Sequence, residues 1–398
     1  MKRKILSLLL SLTLLTALFI PSFSASAAQA PYNLNGYYYS NLTSNGQEAY
    51  RRICDAIVDT KSKEFPDTIQ VPTITKSELY NIAQAVCWDN PEFFNLNYYN
   101  TYLQEANGKG TTVVPDWTYN KSDYQKELAI MRSKADQYLK NAPKKGSDYD
   151  KELYVHDKII EIGTYPDSDT QYSDSSNLEG DYYYQTAISM LKDGKGVCES
   201  YSLAAEYLLN KLGVKCYPVG GFGSNDGGQQ NGGNHAWCVV YLNGKQFVTD
   251  LLWDEVSGSD DKSIYAKEAQ HVYFNLPYSK YGLTHWNEKA IDTMGANTTI
   301  DSYYQRNGCY YQDWSTAQAA LPKLIAKNWN AGKKIAEFQF ASNSGYQEAL
   351  KELFQNNQME RIIQEANRGV RGKKLSTGNY SYTLFDWNNT IVVRLIAQ

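Results

Sequence analysis

The sequence predicts an α+β protein with a helix packed on an antiparallel sheet in the middle of the chain. Two patterns support this fold class. A helical stretch without proline over 198–212 is followed by three short strand patterns, and beyond residue 300 strand and helix patterns alternate. With 398 residues the chain is also too long for one compact core. We therefore predict a mainly helical N-terminal region, a central domain and a small C-terminal α+β domain.

The first 27 residues have the pattern of a secretory signal peptide. Three cations at 2–4 precede a largely apolar run to Ile20, and Ala25-Ser26-Ala27 is a small-residue cleavage site. We expect cleavage after Ala27, a bacterial protein that is secreted or held at the cell surface, and no membrane span. Loss of those three cations takes the formal charge from -4 to about -7, which argues against nucleic acid as a partner.

The N-terminal region, 28–147, is expected to be mainly helical. Apolar periodicity predicts three helices, at 46–61, 75–87 and 121–141. Between them, 98–103 is read as a short strand and the Gly/Thr-rich stretch 107–116 as a flexible loop. Six cysteines in an exported chain could form disulfides, and Cys54 and Cys87, on two of these helices, could either bridge or stay free.

A cysteine stands at the start of the central helix. Cys198 opens a run of good helix formers that ends at Gly213, where a left-handed residue is favoured. A helix N-terminus favours a thiolate, and the neighbouring Lys195 adds positive charge. Gly194 and Gly196 leave room for a substrate backbone, and the backbone N–H of Cys198 is a candidate oxyanion donor.

Three strands are predicted after this helix. Asn243-Gly244 is a strong hairpin signal between two of them, and a Gly/Asn/Gln-rich loop over 220–234 precedes the first of that pair. The strands are 216–220, 235–242 and 245–250.

The hairpin fixes which residues of its two strands meet. If Leu242 lies opposite Lys245, the numbers of any two paired residues sum to 487, so His235 lies opposite Leu252. Asp250 is two residues before Leu252 and is therefore the diagonal neighbour of His235. Diagonal neighbours on one face are within side-chain reach. A thiol, an imidazole and a carboxylate in this order are the components of a nucleophile, a base and a group that orients the base.

These segments resemble the transglutaminase-like superfamily. The resemblance rests on Gly196-Val197-Cys198 before a helix, His235-Ala236-Trp237 on a strand and Asp250 to Asp254 on the next strand. The segments 154–165 and 273–285 resemble the ends of this domain in secreted bacterial members, which places the domain at 148–292. The resemblance implies a papain-like fold, with Cys198 as the nucleophile, His235 as general base and acid, and Asp250 as the orienting residue.

Three positions depart from the family pattern. Ser200 stands where many members have Gly, Cys238 where Asn often follows, and Leu252 where Thr is usual. None of them belongs to the triad of Cys198, His235 and Asp250, so these departures affect the assignment of a substrate more than the mechanism. Strand alternation points Cys238 to the face opposite His235.

The combined pattern predicts an exported thiol enzyme that cleaves or transfers amide bonds of peptide or protein substrates, at the cell wall or cell surface. The triad serves hydrolysis and amine transfer alike; the glycine-rich loop favours an open cleft and hydrolysis. The alternative is a non-catalytic protein- or glycan-binding protein on the same fold, which the 34 tyrosines motivate. No cofactor and no metal are expected, since no Cys/His spacing has a zinc pattern, and His156, His271 and His285 are read as structural.

Two further segments complete the prediction. The polar, acidic stretch 167–181 is either a solvated loop or a lid at the substrate cleft. The C-terminal domain, 300–398, carries no catalytic pattern, and a role in substrate or wall binding is a hypothesis. Its elements are predicted as a strand at 303–311, a helix at 315–330, a strand at 335–340, a helix at 345–367 and a strand pair at 380–384 and 390–395.

Overall fold

A computed structural model describes residues 31–166, 182–224, 232–256, 268–286 and 302–398. The predicted signal peptide, the acidic stretch 167–181 and residues 225–231 of the glycine-rich loop lie outside the described residues.

The described chain contains helices and strands in mixed order. The α-helices are α1 (Tyr37–Ser40), α2 (Ser44–Val58), α3 (Lys76–Trp88), α4 (Lys121–Tyr138), α5 (Asp148–Ile162), α6 (Cys198–Lys211), α7 (Tyr278–Tyr281), α8 (Tyr303–Asn307), α9 (Trp314–Asn330), α10 (Asn343–Leu350) and α11 (Gln358–Gly369). The strands are β1 (Ile69–Thr75), β2 (Tyr102–Ala106), β3 (Lys109–Val114), β4 (Cys216–Gly223), β5 (Gly233–Leu242), β6 (Lys245–Thr249), β7 (Glu255–Val256), β8 (Glu268–Ala269), β9 (His285–Trp286), β10 (Tyr310–Tyr311), β11 (Ile335–Phe340), β12 (Leu375–Phe385) and β13 (Thr390–Ala397).

The sequence predicted only one strand of the sheet in the N-terminal region, at 98–103, and the structure places that strand later, as β2. The three predicted helices are confirmed as α2, α3 and α4, but β1, β3 and β2 form a three-stranded antiparallel sheet beside them. The prediction of a flexible loop at 107–116 is wrong, because Asn107 and Gly108, both with positive φ, make a tight turn into β3. The threonines read as loop residues are β-branched and suit a strand.

In the central domain, α6 packs on a four-stranded sheet of order β6-β5-β4-β9. The predicted register is confirmed, since Leu242 pairs with Lys245 and Cys238 with Thr249. β4 runs to Gly223, longer than the sequence predicted, so the connection to β5 is shorter than 220–234. Cys238 faces α6, with its thiol 3.4 Å from the carbonyl oxygen of Ser202.

The C-terminal region is an α+β unit built on a sheet of order β10-β11-β13-β12. Two element predictions there are wrong. The stretch read as a strand at 303–311 begins as a helix, because Ser302 caps its N-terminus and Gly308 ends it in the left-handed region. The single helix predicted at 345–367 is broken by a π-helical turn at Lys351–Gln355 and by Asn357, which has φ 53°.

All six cysteines are free thiols, so the structure does not contain the Cys54–Cys87 disulfide that the sequence left open. Five are buried, and Cys198 alone is partly exposed. Among the described residues, no helix combines the length and apolarity that crossing a bilayer requires.

Candidate active site

The loop before α6 holds Cys198 at the first position of the helix. Val197 is the extended residue that precedes the helix, and its N–H donates to the carbonyl oxygen of Tyr184 at 2.9 Å. Gly194 adopts φ 65°, and a Cβ there would lie 2.4 Å from the carbonyl oxygen of Ile162. Only glycine fits this close turn. The thiol therefore sits at the positive end of the α6 dipole, where negative charge is stabilised.

His235 and Asp250 meet as the hairpin register predicted. His235 Nε2 lies 2.5 Å from Asp250 Oδ2. The second carboxylate oxygen, Oδ1, accepts the backbone N–H of Trp253 at 3.1 Å, which fixes the carboxylate in the turn after β6. Asp250 is 1% exposed and His235 9% exposed, so water does not compete for this pair.

The indole of Trp253 stacks on the His235 ring, with the ring centroids 4.4 Å apart and the planes 11° apart. Gly223 in β4 makes room for this stack. A Cβ at Gly223 would lie 2.8 Å from the Trp253 ring and 3.2 Å from Cδ2 of His235. The imidazole is thus fixed by a carboxylate at one edge and an aromatic ring on one face.

The charges of these groups stabilise an imidazolium. Burial opposes the charged form of His235, but the Asp250 carboxylate and then the Cys198 side chain outweigh burial and raise the pKa of His235 to about 10. Burial likewise opposes the charge on Asp250, yet His235 and His285 hold the pKa of Asp250 well below its usual range. An anionic Asp250 and a cationic His235 are the consistent charge states at neutral pH.

The thiol also lies close to the imidazole, since the Cys198 side chain contributes to raising the pKa of His235. Because Nε2 of His235 is taken by Asp250, Nδ1 is the ring nitrogen left for the sulfur. The structure thus brings together all three residues that the sequence singled out.

His285, which the sequence analysis read as structural, belongs to the same group. Its Nε2 lies 3.1 Å from Asp250 Oδ2, and its Nδ1 lies 2.8 Å from the hydroxyl of Thr284. His285 is fully buried, and burial lowers its pKa, so it is neutral. A neutral imidazole that donates from Nε2 gives Asp250 a second partner. No local signal marks this role, because β9 pairs with β4 and not with the predicted hairpin.

A buried glutamate lies directly after the thiol. Glu199 accepts hydrogen bonds from Trp88 Nε1 at 2.7 Å, from the Tyr98 hydroxyl at 2.8 Å and from the Tyr99 hydroxyl at 3.2 Å. Burial raises the pKa of Glu199 to about 7, although these three donors oppose the shift. Glu199 thereby joins α6 to the N-terminal region beside the nucleophile.

Two groups among the described residues have the composition of a metal site. In the first, His235, Asp250 and His285 place their ligand atoms within 4.8 Å of one another. Atoms bound to one zinc ion at 2.0–2.1 Å would lie about 3.3 Å apart in tetrahedral geometry. The His235–Asp250 separation of 2.5 Å fits a hydrogen bond better than two metal ligands. The second group, His156, Asp157 and His271, lies outside the triad.

The central part of the chain matches a known family model. Residues 136–250 match the model of the transglutaminase-like superfamily, a stretch that includes Cys198, His235 and Asp250. One similar solved structure is described as the crystal structure of a TGase, at 21% identity and a TM-score of 0.25, covering 38% of this chain and 43% of the other. The match thus spans less than half of that protein. A search of curated proteins finds no match.

Proposed function

We propose, from the transglutaminase-like domain that this chain carries over residues 136–250, that the protein is a thiol enzyme acting on amide bonds. One observation carries the proposal. The ring of His235 is held by Asp250 through Nε2 at 2.5 Å, and its pKa is raised by the nearby Cys198 side chain, which lies at a helix N-terminus. A thiol, an imidazole and a carboxylate in this order form the arrangement that activates a nucleophile.

The first step would be acylation of the thiol. The Cys198 thiolate attacks the carbonyl carbon of an amide, the C–S bond forms, and the electron pair of the C–N bond leaves with the amine. The imidazolium of His235 gives its proton to that amine and becomes neutral. The negative charge on the carbonyl oxygen is stabilised by the backbone N–H of Cys198, because first-turn amides have no acceptor within their own helix.

The second step would release the acyl group. Neutral His235 takes a proton from water or from an amine, which attacks the thioester carbon, and the C–S bond breaks to return the thiolate. Asp250 stays anionic throughout and stabilises each imidazolium. Hydrolysis is the favoured outcome, because Cys198 is partly exposed and water can therefore reach the acyl group.

We propose peptide or protein substrates outside the cell or at its surface, as the signal-peptide pattern of residues 1–27 indicates. N-terminal sequencing of the exported protein tests the location. The expected mature chain begins at Ala28, and an intact Met1 on a protein retained in the cytoplasm would contradict it.

The activity is tested with a library of peptides that carry backbone amides and glutamine side-chain amides. Wild type should form an acyl adduct on the Cys198 peptide in acid-quenched samples, and it should release product. Addition of a primary alkylamine separates the two outcomes, since a transferase incorporates it and a hydrolase does not. Cys198→Ala and His235→Gln should form neither adduct nor product, and product formation by folded Cys198→Ala would refute the proposal.

A second candidate is supported by exposed aromatic rings in the N-terminal region. Tyr80 and Tyr99 are 41% and 46% exposed, their ring centroids are 6.2 Å apart, and Tyr99 reaches Glu199 beside the nucleophile. Such rings can stack on sugars, so the domain would then bind glycan without chemistry. Saturable binding of cell-wall glycan by Cys198→Ala, with no turnover by wild type, would favour this alternative.

A further inference from the structure

The second histidine-containing group lies where α5 meets the segment after β8. Asp157 Oδ1 is 3.0 Å from His156 Nδ1 and 3.0 Å from His271 Nε2. The three ligand atoms all lie within 4.8 Å of one another. Both imidazoles are 1% exposed, whereas the Asp157 side chain is 43% exposed and opens the group to solvent.

The outward nitrogen of each imidazole meets a buried carboxylate. His156 Nε2 is 3.2 Å from Asp254 Oδ2, and His271 Nδ1 is 2.6 Å from Glu337 Oε1. Both carboxylates are themselves held in place. Asp254 accepts the N–H of Tyr273 at 2.9 Å, and Glu337 accepts the N–H of His271 at 2.9 Å. Carboxylates that accept the second N–H of a histidine are the usual support of metal-binding imidazoles.

These contacts leave two imidazole nitrogens directed at one carboxylate oxygen. If each ring donates outward to Asp254 or Glu337, its other nitrogen presents a lone pair toward Asp157. Lone pairs at 3.0 Å from a carboxylate oxygen repel unless a cation lies between them. Protons on the rings, balanced by Asp157, Asp254 and Glu337, are the alternative to a metal ion at these atoms. One divalent ion satisfies the same three atoms.

We propose that His156, Asp157 and His271 bind one divalent transition-metal ion, for which Zn²⁺ is the best match. Two imidazole nitrogens and one carboxylate oxygen suit zinc and do not suit calcium or magnesium, which select oxygen ligands. The observed separations of 3.0 Å are hydrogen-bond lengths, and a small expansion would bring them to the roughly 3.3 Å expected between tetrahedral zinc ligands. The exposed side of Asp157 leaves a fourth position for water.

The ion would tie three parts of the protein together. It would join α5 to the segment that carries His271 and, through Glu337 on β11, to the C-terminal sheet. It would also reach the turn of the candidate active site, because the N–H of Asp254 donates to the carbonyl oxygen of Asp250 at 3.2 Å. Metal loading would therefore stabilise the orientation of the C-terminal region relative to the triad.

The test uses the full chain stripped with a chelator and titrated with Zn²⁺ in a calorimeter, with bound metal counted by mass spectrometry. Wild type should bind one equivalent. Asp157→Asn should weaken binding at least tenfold, and Glu337→Gln, which removes only a supporting carboxylate, should weaken it 10- to 100-fold. The matched control is Asp148→Asn on the same helix, whose side chain is also 43% exposed and which should bind as wild type does.

Two readouts make the outcome decisive. Zn²⁺ should raise the melting temperature of wild type and of Asp148→Asn but not of Asp157→Asn, and circular dichroism of the metal-free variants checks that they fold. Co²⁺ in place of Zn²⁺ should give a spectrum without a thiolate charge-transfer band, which excludes binding at cysteine. Wild type that binds no zinc, or an Asp157→Asn variant that binds it as tightly as wild type, overturns the proposal. Neither result bears on acylation of Cys198.

Discussion

Replacement of Asp250 by Asn should remove the charge that keeps His235 protonated. In the wild-type fold, the Asp250 carboxylate and the Cys198 side chain outweigh burial and raise the pKa of His235 from 6.5 to about 10. That shift corresponds to about 5 kcal/mol of net interaction, since one pKa unit is about 1.4 kcal/mol. In Asp250→Asn the largest remaining influence is burial, which lowers the pKa. We therefore expect the His235 pKa to fall by about three units, because only the Cys198 side chain then opposes burial.

The chain has four histidines, so the titration of each ring can be followed by NMR with histidine labelled at Cε1. The His235 signal, assigned with His235→Gln, should move from the protonated to the neutral position only near pH 10 in wild type. The matched control is Asp136→Asn, an exposed carboxylate on α4 paired with Lys211, which should leave the His235 curve unchanged. A His235 signal that titrates near 6.5 in wild type, or one unaffected by Asp250→Asn, would refute the reasoning.

The same pair contributes to stability in a defined pH window. The pKa of Asp250 is lowered, so its contribution is present above the unfolded value of 3.8 and is lost as pH falls through the folded pKa. The pKa of His235 is raised, so its contribution is fully present below 6.5 and is lost as pH rises through about 10. Because the substitution leaves His235 buried without its charged partner, we expect Asp250→Asn to lower the free energy of unfolding by about 3–5 kcal/mol near pH 6. Urea unfolding measures this loss.

Three other substitutions test the surroundings of the triad. Burial raises the pKa of Glu199 from 4.5 to about 7, so wild type should lose on the order of 3 kcal/mol of stability as pH rises between these values. Glu199→Gln has no carboxyl group to ionise and should not show this loss. Urea unfolding across pH 4–8 compares the two proteins. His285→Phe removes a donor to Asp250 and should slow Cys198 alkylation about tenfold or more. His285→Gln keeps a donor and should restore part of the rate. Equal rates in both variants would contradict a positioning role. Gly223→Ala should displace Trp253 from the His235 ring, because the new Cβ would lie 2.8 Å from the indole. We expect this substitution to cost about 1–3 kcal/mol of stability. Unchanged tryptophan fluorescence would argue against the displacement.

The sequence predicted the local features of the site because each rests on short-range chemistry. Asn243 and Gly244, with φ of 51° and 76°, make the two-residue turn that sets the register and so brings Asp250 to His235. The bounds of α6 follow from its composition and from Gly213, whose φ is 78°. A resemblance over 148–292 supplied the role of each residue, which the pattern alone leaves open.

The features that were missed depend on long-range contacts. His285 reaches Asp250 from 35 residues away, through β9, which is only two residues long. His271 meets Asp157 from 114 residues away, so no ligand spacing marks the second histidine group. The sheet at β1 and β3 was missed because its residues do not alternate cleanly and β1 is irregular between Gln70 and Ile74.

The central claim is that Cys198 is activated by His235, and the rate of Cys198 alkylation against pH tests it most directly. Iodoacetamide labelling read by peptide mass spectrometry compares wild type with His235→Ala, and the five buried cysteines serve as internal controls in the same sample. We predict fast labelling of Cys198 that persists well below pH 7 in wild type and is lost in the variant. Labelling that is slow in both proteins, or that rises only near an ordinary thiol pKa of about 8.5, would contradict the account.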